Sequence, residues 1–305
     1  MKQSEYIQSF LKGDWKSGIA VFLVALPLCL GIALASGAPL LAGLVAGIVG
    51  GTLVSFLSGS ELSVSGPAAG LTIIVATAIA DLGSFPGFLV AVIIAGLIQV
   101  ALGLFKMGKI GGFFPSSVIR GMLVAIGIVI ILKQIPHAIG DDLDFIGEFE
   151  FDQKDGENTF TEILASFATI KVGAVFISIF GLLILFSWTA LGNTFRWLNA
   201  LPASLFVVLA GIGINELAGI YAPDWFLGDS KDHMVNLPIF ASSSEIWNGL
   251  VSPDWSFITN PKVYSVAITL AIVASLESLL SLEATDSLDP LKRISSPDRE
   301  LLAQG

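Results

Sequence analysis

The side chain in this sequence best placed to do chemistry is Glu277. It stands in Ala274-Ser275-Leu276-Glu277-Ser278-Leu279-Leu280-Ser281, inside a run from 263 to 282 whose other polar groups are hydroxyls. An ionised carboxylate at the centre of a membrane-inserted helix costs about 2.5–3.5 kcal/mol, so such a residue faces a cavity or a polar partner. Two chemistries suit it: carrying a proton, or ligating a coupling Na⁺ through oxygen. Ser281, one turn further on, shares the helix face of Glu277 and would complete an oxygen shell. The structural alternative is a carboxylate paired with a cation such as Arg120.

A second feature is the stretch Ser63-Val64-Ser65-Gly66-Pro67-Ala68-Ala69-Gly70-Leu71-Thr72, which opens a short apolar segment ending at Asp81. Gly66 followed by Pro67 predicts a helix start with Pro67 at the first helical position. If that start lies within the membrane, the unpaired amides of Ala68, Ala69 and Gly70 form an anion site favoured by the positive end of the helix dipole. Small side chains there let a ligand reach the backbone. Ser65, Gly66, Pro67, Ala68, Ala69 and Gly70 are therefore the candidate anion-binding residues. The bland alternative is a helix that starts at the membrane surface.

The rest of the chain must hold these groups in a bilayer. Of its 305 residues 13% are charged and 54% hydrophobic, and the mean hydropathy is +0.84; soluble domains carry about 25% charged residues. Residues 18–35, 40–57, 86–105 and 172–191 carry no charge. Each run can cross roughly 30 Å of hydrocarbon at about 1.5 Å per residue. A series of such runs excludes a soluble protein, because too little polar surface would remain to cover them. Lys12, Lys16 and Ala33-Leu34-Ala35 imitate a signal peptide, but the first run is too long for one and a second span follows at once.

Other function classes find no support. The single cysteine, Cys29, allows no disulfide and reads as a packed hydrophobe. The net charge of −10 comes mainly from two acidic loops and gives no reason to expect nucleic acid. No phosphate-binding loop, dinucleotide glycine pattern, nucleophile elbow or zinc spacing occurs, so the chain is not expected to be an enzyme or to hold a metal. His137 and His233 fall in predicted loops with no ligand spacing around them.

Apolar runs and their Gly, Pro and charged boundaries give eight membrane segments, near 18–36, 40–58, 64–80, 86–105, 114–135, 171–190, 201–220 and 263–284. The connections 136–170 and 221–262 hold Asp141, Asp142, Asp144, Glu148, Glu150, Asp152, Asp155, Glu157, Asp224, Asp229, Asp232 and Asp254, and are expected outside. Lys12, Lys16, Lys106, Lys109, Arg196, Lys292 and Arg293 then share one side, which places the N-terminus in the cytoplasm. Pro27, mid-run in Leu26-Pro27-Leu28, predicts a kink or break in the first segment. Glu283 and Asp286 read as surface partners of Lys292 and Arg293. Gly43, Gly47, Gly50, Gly51, Gly96 and Gly103 suit close helix packing in lipid.

These residues carry a family resemblance. Ala25-Leu26-Pro27-Leu28-Cys29-Leu30-Gly31-Ile32-Ala33, Ser65-Gly66-Pro67, Phe114-Pro115-Ser116-Ser117-Val118-Ile119-Arg120-Gly121 and Leu276-Glu277-Ser278-Leu279-Leu280 resemble, in order and spacing, the sulfate permease (SulP) family of inorganic anion transporters. The resemblance implies an all-α membrane protein of two inverted seven-helix repeats, a uracil-permease-like fold with a short half-helix as its third member. The chain would supply the first repeat (helices one to seven) and helix eight. Residues 1–17 would be the cytoplasmic N-terminus, 18–105 core-domain helices one to four, and 114–220 gate-domain helices five to seven. The external loop 221–262, core-domain helix eight at 263–284 and a cytoplasmic segment 285–305 would follow.

The resemblance further implies secondary active transport of sulfate or bicarbonate by alternating access in a plasma membrane. The anion would lie between facing half-helices, the first opened by Gly66-Pro67. Glu277 would be the coupling position for H⁺ or Na⁺ and Ser281 a hydroxyl neighbour, with no cofactor beyond the coupling ion. A homodimer is expected. In the cyanobacterial sodium–bicarbonate branch the acidic position is usually Asp, and a Thr stands where this chain has Ala68. The chain is expected to be a fragment, since family members continue into helices nine to fourteen and usually a STAS domain, so alone it should not transport. Two other readings are an uncoupled anion channel and a membrane scaffold that binds anions without moving them.

Overall fold

The computed structural model describes residues 14–109, 116–141, 158–194, 198, 202–228, 247 and 249–305. The side chain of Arg120, the residues Phe114 and Pro115, His233, Arg196, and the acidic residues of 142–157 and 229–232 lie outside that description. Among the described residues there is no strand. The helices are α1 (Trp15–Ala35), α2 (Leu40–Leu57), α3 (Ala69–Leu82), α4 (Phe85–Leu104), α5 (Ser116–Ile139), α6 (Thr159–Ser166), α7 (Val172–Thr194), α8 (Ala203–Tyr221), α9 (Pro261–Leu288) and α10 (Pro297–Gln304). Six of them, α1, α2, α4, α7, α8 and α9, are long and apolar enough to cross a membrane, and α3 is a shorter apolar helix. Each of the eight predicted segments falls on one of these helices or on α5.

The boundaries show local chemistry at work. α1 runs unbroken through Pro27, because one proline removes only its own N–H from the ladder and the surrounding bonds persist; the predicted break is absent. α3 ends on Gly83 at φ +65°, a left-handed turn that glycine enters without a Cβ penalty. Ser84 then caps α4, its hydroxyl accepting from the Gly87 N–H at 3.1 Å, with Pro86 in the first turn. α5 continues past its predicted end and carries Pro136 and His137 in its last turn, so His137 is helical rather than in a loop. Gly140 at φ +92° stops it.

The chain forms two compact units. One holds α1 from Leu28 onward, α2 to α4, α5 up to Ile130, α9 and α10. Its core is made where α3, α4 and α9 meet, from Ala78, Leu82, Phe88, Val90, Ala91, Ala95, Val263, Ala267, Leu270 and Ala271. The alanines of α4 and α9 let the two helices approach closely, as lipid-immersed helices require. Gln99 of α4 crosses that seam and donates to the Ser275 hydroxyl of α9 at 3.3 Å, so both buried polar groups are satisfied. Against α1, Gly43 faces the Cys29 backbone carbonyl and Gly47 faces the Cys29 thiol. Gly96 and Gly103 face Gly305 and Leu302, whereas Gly51 faces open space.

The second unit holds α1 up to Pro27, the end of α5 from Ile131, α6, α7 and α8. α7 and α8 pair through Trp188 and Phe206, with ring centroids 5.4 Å apart. Within the expected loop 136–170, α6 starts on a capping box made by Asn158 and Thr161. It brings Glu162 within 2.7 Å of Lys133, and both residues are buried.

Candidate functional site

The site lies within the first unit and is built from the entrance to α3 and the middle of α9. Ala68 is extended (φ −99°, ψ 123°), a single 3₁₀ turn spans Ala69–Leu71, and regular helix begins at Thr72. The helix therefore starts two residues later than expected, and Pro67 precedes it instead of occupying its first position. Pro67 fixes its own φ and biases Gly66 towards extended backbone, but it does not oblige Ala68 to turn. The Leu71 N–H donates to the Ala68 carbonyl at 3.2 Å, and no side chain caps the start. The amides of Ala69 and Gly70 are thus the leading donors of the helix, pointing along the positive end of its dipole.

Glu277 reaches this same point. Its Oε1 lies 2.9 Å, and its Cδ 3.4 Å, from where a Cβ on Gly70 would stand. The carboxylate thus covers the Cα of Gly70, and a side chain there would push it aside. The two features that the sequence offered separately, the small-residue helix start and the acid in the last apolar run, lie against each other. Ser281 sits a turn beyond Glu277 on α9 and is exposed, and its carbonyl accepts from the Thr285 hydroxyl at 2.8 Å.

The loop before α3 is held on two sides. Gly50, opening a π-helical turn (Gly50–Val54) in α2, abuts the Ser65 backbone: a Cβ there would meet the Ser65 carbonyl oxygen and come within 2.7 Å of its carbon. On the other side the Ser65 hydroxyl accepts a hydrogen bond from Gln304 of α10 at 2.8 Å. Just inside α3 the Thr72 hydroxyl is buried and has no hydrogen-bond partner. A cleft of about 290 Å³ opens between α3 and α9, lined by Ile73, Ile74, Thr77, Ala78, Ser265, Val266 and Thr269. Its walls are mostly apolar, with three hydroxyls.

After α9 the chain is stapled by two carboxylates, Asp289 and Asp286. Asp289 accepts from the Arg293 Nε at 2.6 Å and from the amides of Leu291 and Arg293 at 3.0 Å. The hydrogen bond from the Arg293 side chain, aided by those amides and by the guanidinium charge, pulls the Asp289 carboxyl down to about 2. Arg293 also approaches Glu61 at 3.5 Å. Asp286 takes both the amide and the hydroxyl of Ser295, each at 2.7 Å, rather than a basic side chain.

The sulfate permease family pattern matches residues 11–305. The chain belongs to the sulfate permease family. Among curated relatives, "Putative sulfate transporter YvdB" of Bacillus subtilis is 28% identical over 302 residues, 98% of this chain and 52% of that protein. "Bicarbonate transporter BicA" of Synechocystis is 34% identical over 137 residues, 43% of this chain and 24% of that protein. The chain thus spans about half the length of YvdB and less of BicA. Among solved structures, the transmembrane domain of a cyanobacterial BicA superposes with a TM-score of 0.57 at 22% identity, over 96% of this chain and 69% of that one. The fold is therefore that of the BicA transmembrane domain, and this family member is a multi-pass membrane protein.

Proposed function

We propose that the protein of which this sequence is part, or the whole, is a secondary active transporter of a small inorganic oxyanion, sulfate or bicarbonate. It works by alternating access, with H⁺ or Na⁺ coupling through Glu277. The observation that carries this reading is the seating of the Glu277 carboxylate against the Cα of Gly70, the second residue of the turn that opens α3. Two like charges about 4 Å apart repel by about 4 kcal/mol at an effective dielectric of about 20. Anion and ionised carboxylate therefore exclude one another, and the anion enters well only when a proton or a cation neutralises Glu277. By linkage the anion in turn tightens the binding of that proton or cation by the same factor. That reciprocity is the thermodynamic core of symport.

Family membership and the relatives named for sulfate and bicarbonate support the substrate class. The basic residues on one side support a cytoplasmic N-terminus in a plasma membrane, and a homodimer is the expected assembly. Substitution of Ala68 by Phe tests the anion site: it should abolish anion binding while the protein still reaches the membrane. Undiminished binding by Ala68→Phe would refute the site.

A further inference from the structure

The side chains around Ser65 form a hydrogen-bond chain with a fixed direction. Gln304 uses both hydrogens of its amide nitrogen, one to the Ser65 hydroxyl at 2.8 Å and one to Glu300 Oε1 at 2.9 Å. The other oxygen of Glu300 accepts from the Ser58 hydroxyl, whose own oxygen accepts from the Ser60 amide at 3.1 Å. Glu300 is 2% exposed, and each of its two oxygens has a hydrogen-bond partner. A carboxylate can face only the NH₂ end of the Gln304 amide, so Glu300 sets which way that amide points. Ser65 consequently accepts from Gln304, and its single O–H hydrogen is left to donate elsewhere. Its backbone cannot retreat, because Gly50 lies against its carbonyl.

We propose that Ser65 is a side-chain donor to the transported anion, and that Gln304, oriented by Glu300, is the positioning residue that keeps the Ser65 hydrogen available. This rests on the anion site at Ala68 to Gly70. Ser65 lies three residues before Ala68, on the exposed or half-buried approach to the free amides of α3. The chemistry recognised is that of an oxyanion with an unprotonated oxygen, which accepts from a hydroxyl as well as from backbone amides.

The test measures KM and Vmax for sulfate and for bicarbonate with the full-length protein in proteoliposomes. The variants are Ser65→Ala, Ser65→Thr, Gln304→Met and the double variant Ser65→Ala/Gln304→Met. A hydrogen bond to a charged ligand predicts that Ser65→Ala raises KM roughly ten- to a hundredfold with Vmax little changed. Ser65→Thr, which keeps the donor, restores it. Gln304→Met raises KM by less, and adds nothing in the Ser65→Ala background. The donor assignment falls if Ser65→Ala leaves KM unchanged, and the positioning role falls if Gln304→Met multiplies KM equally in both backgrounds. Where Gln304→Met does not reach the membrane, Glu300→Gln takes its place with the same expectation. Ala68→Phe separates the two levels: loss of binding there with a silent Ser65→Ala removes only the donor, whereas persistent binding removes the site beneath it.

Discussion

Replacing Glu277 by Gln removes one negative charge at nearly constant volume, at the point where its carboxylate covers Gly70. About 4 kcal/mol of repulsion between unit charges about 4 Å apart corresponds to roughly three decades in affinity. In the wild-type protein the anion Kd should therefore change by up to about a thousandfold between conditions that leave Glu277 ionised and conditions that neutralise it. Glu277→Gln should stay near the tight limit throughout. The assay is anion binding by isothermal titration across pH 5 to 8, repeated with and without Na⁺, on purified full-length protein. A wild-type response to pH alone identifies the proton as coupling ion, and a response to Na⁺ at constant pH identifies Na⁺. In liposomes the same variant should still exchange anion across the membrane yet fail to accumulate it against a gradient. Binding by Glu277→Gln that keeps the wild-type dependence, or uptake that remains concentrative, would refute the electrostatic argument.

Three further outcomes follow from other contacts. Gly50→Ala should push the Ser65 peptide out of place, because the added Cβ meets backbone instead of a flexible side chain; a cost of about 1–3 kcal/mol in thermal unfolding and weakened anion binding are expected, and wild-type affinity would count against the buttress. Lys133→Met breaks the buried ion pair with Glu162 and should cost about 3–5 kcal/mol, most of it recovered in Lys133→Met/Glu162→Leu; equal instability of the single and double variants would contradict a paired role. Asp289, held at about 2 by Arg293, stabilises its turn fully above its ordinary value near 3.8 and loses that contribution as pH falls towards 2. Carboxyl NMR should find it titrating near the lower value, and Arg293→Met should move it up; an unshifted Asp289 would remove the staple.

The parts of the fold legible in the sequence are those set by single-residue chemistry repeated over long stretches. The uncharged runs 18–35, 40–57, 86–105 and 172–191 became helices within three residues of their ends, because burying backbone in lipid leaves a helix as the available solution. Glu277 and the stretch from Ser65 to Gly70 were each visible as an anomaly against that background. Their meeting was not, since they lie more than 200 residues apart in sequence and nothing local encodes which face of α9 meets α3. The start of α3 was misjudged by two residues because proline constrains φ without starting a turn.

The pairings that were missed are of the same long-range kind. Lys133 and Glu162 meet only because α6 folds back, and the Asn158 cap was the one local sign of that helix. Ser65 stood out, but its partners Ser58, Glu300 and Gln304 look unremarkable one by one. A readable hint was Ser296-Pro297-Asp298 followed by Glu300, a helix-start signature in a stretch read only as a cytoplasmic segment.

The central claim, coupled transport of an oxyanion, is tested most directly by uptake of labelled sulfate and bicarbonate into proteoliposomes holding the full-length protein, with imposed Na⁺ and pH gradients compared side by side. Accumulation of one anion above equilibrium under one of the two gradients, and its collapse when that gradient is dissipated, is the predicted result. Flux that only ever runs down the anion's own gradient, or no flux alongside normal binding, would contradict it.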